Sequence, residues 1–364
     1  MATSAGRKVN VGIVGAGNIS EIYLKNLTTV FDNVSVVGVA DLLVERAKDR
    51  ADKFGVGAYS VEEILQHPDV EVIVNLTIPA AHAQVALEAI ANGKSAYNEK
   101  PLAINREDGR KLLTEAAARG VLVGSAPDTF LGGGLQSARK YLDDGIIGTP
   151  VAVSAQMLGH GMETWHPDPY FFFQPGAGPL FDVGVYYVQA LASILGPMKR
   201  VSALASISFP ERVVLSGPKE GDRIPVNTPT HIMSAIEFES GIVGNLGASF
   251  DVYETNHSTL VIYGTEGTLR LPDPNTFGGP ISILEPNAKE WKELPLTYGN
   301  TENSRGLGVW DMANSLITGE KARASGELGY HVLDIMASVL ESADTSQSVA
   351  VASTVERPAL LPAS

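Results

Sequence analysis

The sequence predicts an α/β protein: an N-terminal Rossmann domain with a doubly wound parallel sheet, then a C-terminal α+β domain with a largely antiparallel open sheet. Two observations predict it. In the first third, short apolar β-rich runs alternate with stretches of helix length, and β and α in alternation wind a parallel sheet with helices on both faces. After about residue 127, strand runs follow one another with turns between them and few helices. The expected domains are 1–127 for nucleotide and 128–364 for substrate and oligomerisation, and 364 residues suffice for both.

Taken in order, the first strands are "KVNVGIV" (8–14), "VSVVGVA" (34–40), "VEVIVNL" (70–76), "KSAYN" (94–98) and "VLVGSA" (121–126). They are apolar at nearly every position, as strands covered on both faces must be. Helices are expected around 18–30, 43–54, 80–92 and 105–119; in the third, Val85 with Ala89 and Ala86 with Ile90 make one apolar face. "LGGGLQ" (131–136) reads as a glycine-rich break, and "LQSARKYLDDGIIG" as a helix ended by Gly145. Beyond lie "PVAVSAQML", "RVSALASISF", "HIMSAIEF", "GIVGNLGASF" and the hairpin "STLVIYGTEGTLRL". "GPKEGDRIPVNTP" and "LPDPNTFGGP" read as loops.

A net charge of −14 repels a phosphate backbone, so no nucleic-acid partner is expected. With no cysteine there is no disulfide, thiolate catalysis or cysteine metal site. The start of the chain has no secretory core and no apolar run is long enough for a membrane span, so a cytoplasmic protein is expected.

The nucleotide signal is "VNVGIVGAGNIS", with Gly15-x-Gly17-x-x-Ser20 directly after a strand and opening a helix. Gly15 permits the tight turn, Gly17 lets a pyrophosphate approach the backbone at the helix start, and Ser20 is small enough for the third glycine position. Asn18 and Ile19 complete that turn. Asp41 ends the second strand, 21 residues after Ser20, where a carboxylate holds ribose hydroxyls and repels a 2′-phosphate. NAD is therefore expected as cofactor rather than NADP. Thr77, Pro79 and His82 follow the third strand, and Glu99 and Lys100 the fourth. Ligands of such sheets lie outside the strands' carboxyl ends, so all five are candidate cofactor contacts.

In this order, "GIVGAGNIS", "ADLLVERA", "NLTIPAAH", "EKP" (99–101), "GAGPLFDVGVYYVQAL" (176–191) and "YGTEGTL" (263–269) make the chain resemble the Gfo/Idh/MocA (glucose–fructose oxidoreductase / inositol dehydrogenase) superfamily. The resemblance spans nearly the whole chain. It implies hydride transfer between a nicotinamide and a sugar, polyol or glycoside, and a homodimer or homotetramer through the C-terminal sheet. It places Lys100 at the family's catalytic lysine, Asp182 at the aspartate of its D-x-G-x-H/Y motif and Tyr186 at the last place of that motif. Many relatives, inositol dehydrogenases among them, carry histidine there, so the chain is similar to the tyrosine-bearing branch. Gln189 also departs from the histidine type.

Oxidising a secondary alcohol needs a group that takes the hydroxyl proton. Tyrosine and lysine, at about 10 and about 10.4, are poor bases at neutral pH until neighbours shift them; a lysine cation favours tyrosinate. Tyr186 is expected to transfer the proton with Lys100 as electrostatic partner. Asp182 and Tyr186, four apart, would share a helix face, letting Asp182 bind substrate or hold the lysine. Between residues 158 and 179, His160, Trp165 and His166 are the expected sugar contacts, aromatic for the C–H face and polar for the hydroxyl edge. His160, Glu163, His166 and Asp168 lack metal-site spacing, so no metal is expected. Arg305 and Asp311 are candidates for closing the site. Other activities on this fold are glycoside cleavage through transient oxidation and non-enzymatic NAD sensing.

Overall fold

The computed structural model describes residues 6–253 and 259–362. The chain forms two compact units, 1–128 with 303–333 and 129–302 with 334–364. Residues 303–333, expected in the second domain, therefore pack with the first.

The first unit holds β1 (Val9–Val14), β2 (Val34–Ala40), β3 (Gly57–Tyr59), β4 (Val72–Asn75), β5 (Ser95–Asn98) and β6 (Val123–Ser125). The order is β3-β2-β1-β4-β5-β6, with every pairing parallel. The strand order reverses between β1 and β4, the switch point at which such sheets take their ligands. Helices α1 (Ser20–Thr29), α2 (Val44–Phe54), α3 (Val61–Gln66), α4 (His82–Ala91) and α5 (Arg106–Arg119) supply the crossovers. β3 and α3 stand out little in the sequence: three residues make too short an apolar run. α3 starts on a capping box, with Ser60 Oγ accepting from Glu63 N (3.2 Å) and Glu63 Oε2 from Ser60 N (2.8 Å).

The second unit begins with α6 (Gly133–Asp143). The glycine run is thus the start of this helix and not a break before it. A Cβ at Gly134 would lie 2.6 Å from the Gly278 carbonyl oxygen, and those at Gly132 and Gly133 would collide with the Phe277 and Tyr298 carbonyls. The sheet contains β7 (Pro150–Leu158), β8 (Met198–Ser206), β11 (His231–Phe238), β12 (Val243–Ser249), β13 (Leu260–Gly264), β14 (Gly267–Leu271), β15 (Ile281–Leu284), β16 (Lys292–Leu294) and β17 (Val349–Ala350). Its order is β16-β15-β14-β13-β7-β12-β11-β8-β17, antiparallel except for β7 against β12. β9 (Glu211–Val213) pairs with β10 (Arg223–Pro225), and β10 lies inside the stretch "GPKEGDRIPVNTP" that reads as loop.

A π-helical turn, Leu180–Gly184, runs into α7 (Val185–Leu195). Two further helices, α8 (Leu307–Thr318) and α9 (Gly326–Thr345), follow late in the chain. Among the described residues no helix is long and apolar enough to cross a membrane.

Candidate active site

At the carboxyl ends of β1 and β2 the backbone turns at Gly15, whose φ of +106° is a left-handed conformation that glycine alone adopts easily. A Cβ there would stand 2.6 Å from the Leu76 carbonyl. At Gly17 it would meet nothing within 4 Å, so the protein's own packing does not require that glycine. Its value is a bare backbone at the start of α1, which fits a pyrophosphate. Ser20 is buried and donates its hydroxyl to the Gly17 carbonyl (2.6 Å). Asn18 lines a shallow hollow with Glu21, Ile22, Lys25 and Arg50 beside the turn, and Ile19 is the residue just before α1. Asp41 Oδ2 accepts from Ala16 N and Oδ1 from Leu43 N, both at 2.8 Å. The carboxylate is thus pinned against the glycine turn with lone pairs to spare. Glycine turn and pinned acid fit a dinucleotide whose ribose bears free hydroxyls.

The ends of β4 and β5 are tied by buried amides. Asn75 Nδ2 donates to Asn98 Oδ1 and to the His82 carbonyl, both at 3.0 Å, while Asn75 Oδ1 accepts from the Thr77 hydroxyl (2.6 Å). Asn98 Nδ2 donates to the Leu102 carbonyl (3.0 Å). Pro79 opens a short 3-10 turn that leads into α4. The His82 ring is wholly buried, with Nδ1 2.7 Å from the Pro101 oxygen and Nε2 3.1 Å from the Thr77 oxygen. Burial pushes its pKa below the usual 6.5 while hydrogen bonding to those carbonyls pulls it back. Both ring nitrogens of His82, expected as a cofactor contact, face these protein carbonyls.

Lys100–Pro101 is a cis peptide bond. Glu99 Oε1 accepts the hydroxyl of buried Tyr23 (2.8 Å) and Oε2 accepts Lys100 N (2.9 Å). Glu99 thus fixes the backbone that presents Lys100. Asp311 is buried, receiving Arg323 Nη1 (2.6 Å) and the Arg323 and Ala324 amides, so its role is structural; Arg305 donates to Asn303 Oδ1 (2.9 Å).

In the second unit, Asp182 lies on the π-helical turn and Tyr186 on the first turn of α7. The four-residue spacing therefore crosses a widened turn, not the regular α-helix the sequence reading assumes; such turns are frequent at functional sites. Asp182 is half-buried and Tyr186 buried. The neighbouring Tyr187 donates to Asp273 Oδ1 (3.2 Å), and burial raises its pKa, so its hydroxyl is committed.

The loop after β7 carries the other expected contacts. His160 stacks on Tyr253, centroids 3.6 Å apart. Trp165 is exposed, edge-on to His166 (5.4 Å), whose Nδ1 accepts Asp168 N (3.1 Å). Asp168 pairs with Lys219 and Glu163 with Arg212, both at 2.7 Å, so these acids are held as ion pairs. Among the described residues no group of three or more side chains could hold a metal ion. Sequence reasoning missed Arg212: its acidic partners lie 49 and 39 residues away, and no local pattern marks it.

Residues 9–126 match the description "oxidoreductase family, NAD-binding Rossmann fold", and residues 135–270 match the GFO/IDH/MocA C-terminal domain. Levoglucosan dehydrogenase of Pseudarthrobacter phenanthrenivorans is 25% identical over 289 residues, covering 72% of this chain and 73% of its own. Trans-1,2-dihydrobenzene-1,2-diol dehydrogenase of Bos taurus is 29% identical over 288 residues, 78% and 79% of the two chains. Among solved structures, levoglucosan dehydrogenase in complex with NADH and L-sorbose has the same fold, with a TM-score of 0.82 at 22% identity over 96% of this chain and 100% of that one. With both of its halves matched, the chain belongs to the Gfo/Idh/MocA family of oxidoreductases.

Proposed function

We propose that this protein moves a hydride between NAD and a secondary alcohol or ketone carbon of a sugar, polyol or glycoside. The observation that carries the reading is Asp41 pinned to the glycine turn at the end of β2, in a chain of this oxidoreductase family. Bound NAD supplies the hydride acceptor in the oxidative direction and, reduced, the donor in the other. Gly15, Gly17, Asn18, Ile19 and Ser20 would cradle its pyrophosphate, Asp41 its adenosine ribose, and Thr77, Pro79 and Glu99 the walls beyond.

Tyr186 takes the proton of the reacting hydroxyl, or returns it in reduction. Lys100 provides the positive charge that favours the tyrosinate, and Asp182 accepts a hydrogen bond from a substrate hydroxyl. His160, Trp165 and His166 receive the sugar ring. The nucleotide half is assigned to 1–128 with 303–333, the substrate half to the remainder. A homodimer or homotetramer is read from the open sheet: Leu204, Met233, Val243 and Tyr263 are exposed on one face of neighbouring strands, as their register requires. A reaction on the cell's nicotinamide pool also favours the cytoplasm.

The test is a sugar, polyol and diol screen with NAD and NADP, following reduced nicotinamide at 340 nm. Tyr186→Phe is expected to lower kcat by about 10²- to 10⁴-fold with NADH binding retained. Near-normal turnover in Tyr186→Phe, with none in Lys100→Met, would exchange the two roles. Bound NADH without turnover on any compound would sink the reading.

A further inference from the structure

Arg212, on β9, is the hub of a buried cluster. Its Nη1 donates to Glu163 Oε1 (2.7 Å) and reaches His160 Nε2 (3.4 Å); its Nη2 donates to the Phe250 carbonyl (2.8 Å) and pairs with Asp251. The guanidinium also lies over the rings of Phe209 (4.7 Å) and Phe173 (5.5 Å). Three otherwise separate segments, 160–163, 209–212 and 250–251, thus meet on one side chain.

Such a cluster is a poor way to gain stability, since replacing buried ion pairs by apolar packing is often neutral or better. This one also leaves His160 Nδ1, Glu163 Oε2 and Arg212 Nε buried without a hydrogen-bond partner. What it achieves is fixed geometry. Arginine can only donate, so His160 Nε2 is the acceptor and the ring proton sits on Nδ1. Gly161, at φ +61°, allows the tight turn between His160 and Glu163, and a Cβ there would collide with the Glu163 carboxylate. The orientation of His160 is thereby set, and Tyr253 lies on it nearly parallel, 19° between planes. Tyr253 is nonetheless 81% exposed. An aromatic face held flat and open, on a charged base that cannot shift cheaply, suits the C–H face of a sugar ring.

We infer that Arg212 is a positioning residue that holds His160 and Tyr253 as the platform on which the sugar ring packs, with Tyr253 a specificity-determining residue. The inference rests on the sugar reading above.

Steady-state kinetics at saturating NAD on the same substrate panel test it, with Tyr253→Ala, Arg212→Lys and the double variant. Tyr253→Ala is expected to raise KM about tenfold for ring sugars. Its kcat should stay within about twofold, since uniform binding is what is lost, and NADH affinity should be unchanged. Arg212→Lys keeps the charge but loses the fork and should raise KM similarly. The double variant should be no worse than the worse single one, because both act on one platform. An unchanged KM in Tyr253→Ala, or effects that simply multiply in the double variant, overturns the inference. If Arg212→Lys fails to fold, Tyr253→Ala decides alone, being a change at an exposed side chain.

Wild-type protein that binds NADH but turns over nothing sinks the functional reading instead. Saturation-transfer NMR with aromatic irradiation on the same sugars then reads the platform directly. Transfer to ring C–H protons in wild type that is lost in Tyr253→Ala supports it, and transfer in neither protein, or equally in both, overturns it.

Discussion

At the carboxyl edge of the parallel sheet, uncharged side chains hold one another; behind the loop after β7, one guanidinium holds two carboxylates. Asn75, Thr77, His82 and Asn98 share amide, hydroxyl and imidazole bonds of 2.6 to 3.1 Å with one another and with nearby carbonyls. Arg212, Glu163 and Asp251 are nearly as buried, but they carry full charges and leave polar atoms orphaned. A neutral network has little desolvation to recover and can be assembled from residues close in sequence. A charged one must recover a large penalty by geometry, and it fails abruptly when one partner goes.

The sharpest break of that contrast is Arg212→Met. It strands Glu163 and Asp251 as buried carboxylates without a cation, and a loss of about 3–5 kcal/mol is expected in urea denaturation. Changing Arg212 and Glu163 together to methionine should cost less than Arg212→Met alone, because one stranded charge leaves with its partner. If the single variant lost under about 1 kcal/mol, as an exposed pair would, the cluster would not be charge-dependent.

The same contrast explains what was legible in the sequence. The parallel sheet shows because its strands are apolar throughout, and the nucleotide edge because Gly15, Gly17 and Asp41 must sit at set distances along one chain segment. Lys100 is marked by its motif. Arg212 is not, since a hub of distant partners leaves no local period. The π-helical turn beneath Asp182 is equally hidden, because 180–184 have the composition of an ordinary helix start. His82 stands at the right edge, yet which way its ring faces is decided by the carbonyls of Thr77 and Pro101, which sequence spacing does not report. Residues 303–333 join the first unit through bonds such as Asn26 Nδ2 to the Asn303 and Arg305 carbonyls (2.9 and 2.8 Å), contacts of very long sequence separation.

Asp128 is one of the first unit's buried acids, and it sharpens the comparison by pH. Its Oδ2 accepts from Gly306 N (2.9 Å) and Gly308 N (3.0 Å) at the start of α8. Burial pushes its pKa from the usual 3.8 to about 6; the Gly308 amide and Arg305 pull it down, and Glu99 pushes it up. Between those two values the folded state binds more protons than the unfolded one, so stability falls as pH rises. The contribution is complete below about 3.8 and lost once pH passes about 6, roughly 3 kcal/mol in all. Asp128→Asn keeps an acceptor for both amides without the charge. It should match wild type near pH 4 and exceed it by up to about 3 kcal/mol at pH 8, read from urea midpoints. An advantage that did not grow with pH would contradict the buried, costly carboxylate.

Tyr23→Phe should have the smallest effect. The ring is wholly buried, and burial raises the phenol's pKa, so the hydroxyl stays a donor to Glu99 Oε1. Phenylalanine keeps the volume and removes that one bond. Glu99 is not entirely sealed, at 9% exposure, and its other oxygen still accepts Lys100 N, so water can replace the lost donor. The expected cost is about 1 kcal/mol. Because the same carboxylate fixes the Lys100 backbone, the proposed role of Lys100 makes kcat fall a few-fold, a change that simple loss of stability would not produce. A cost equal to that of Arg212→Met would mean that Glu99 depends on its partner as Asp251 does, and the division between a neutral and a charged device would not hold. Unchanged stability and unchanged kcat would mean that the Tyr23 hydroxyl does not position Glu99.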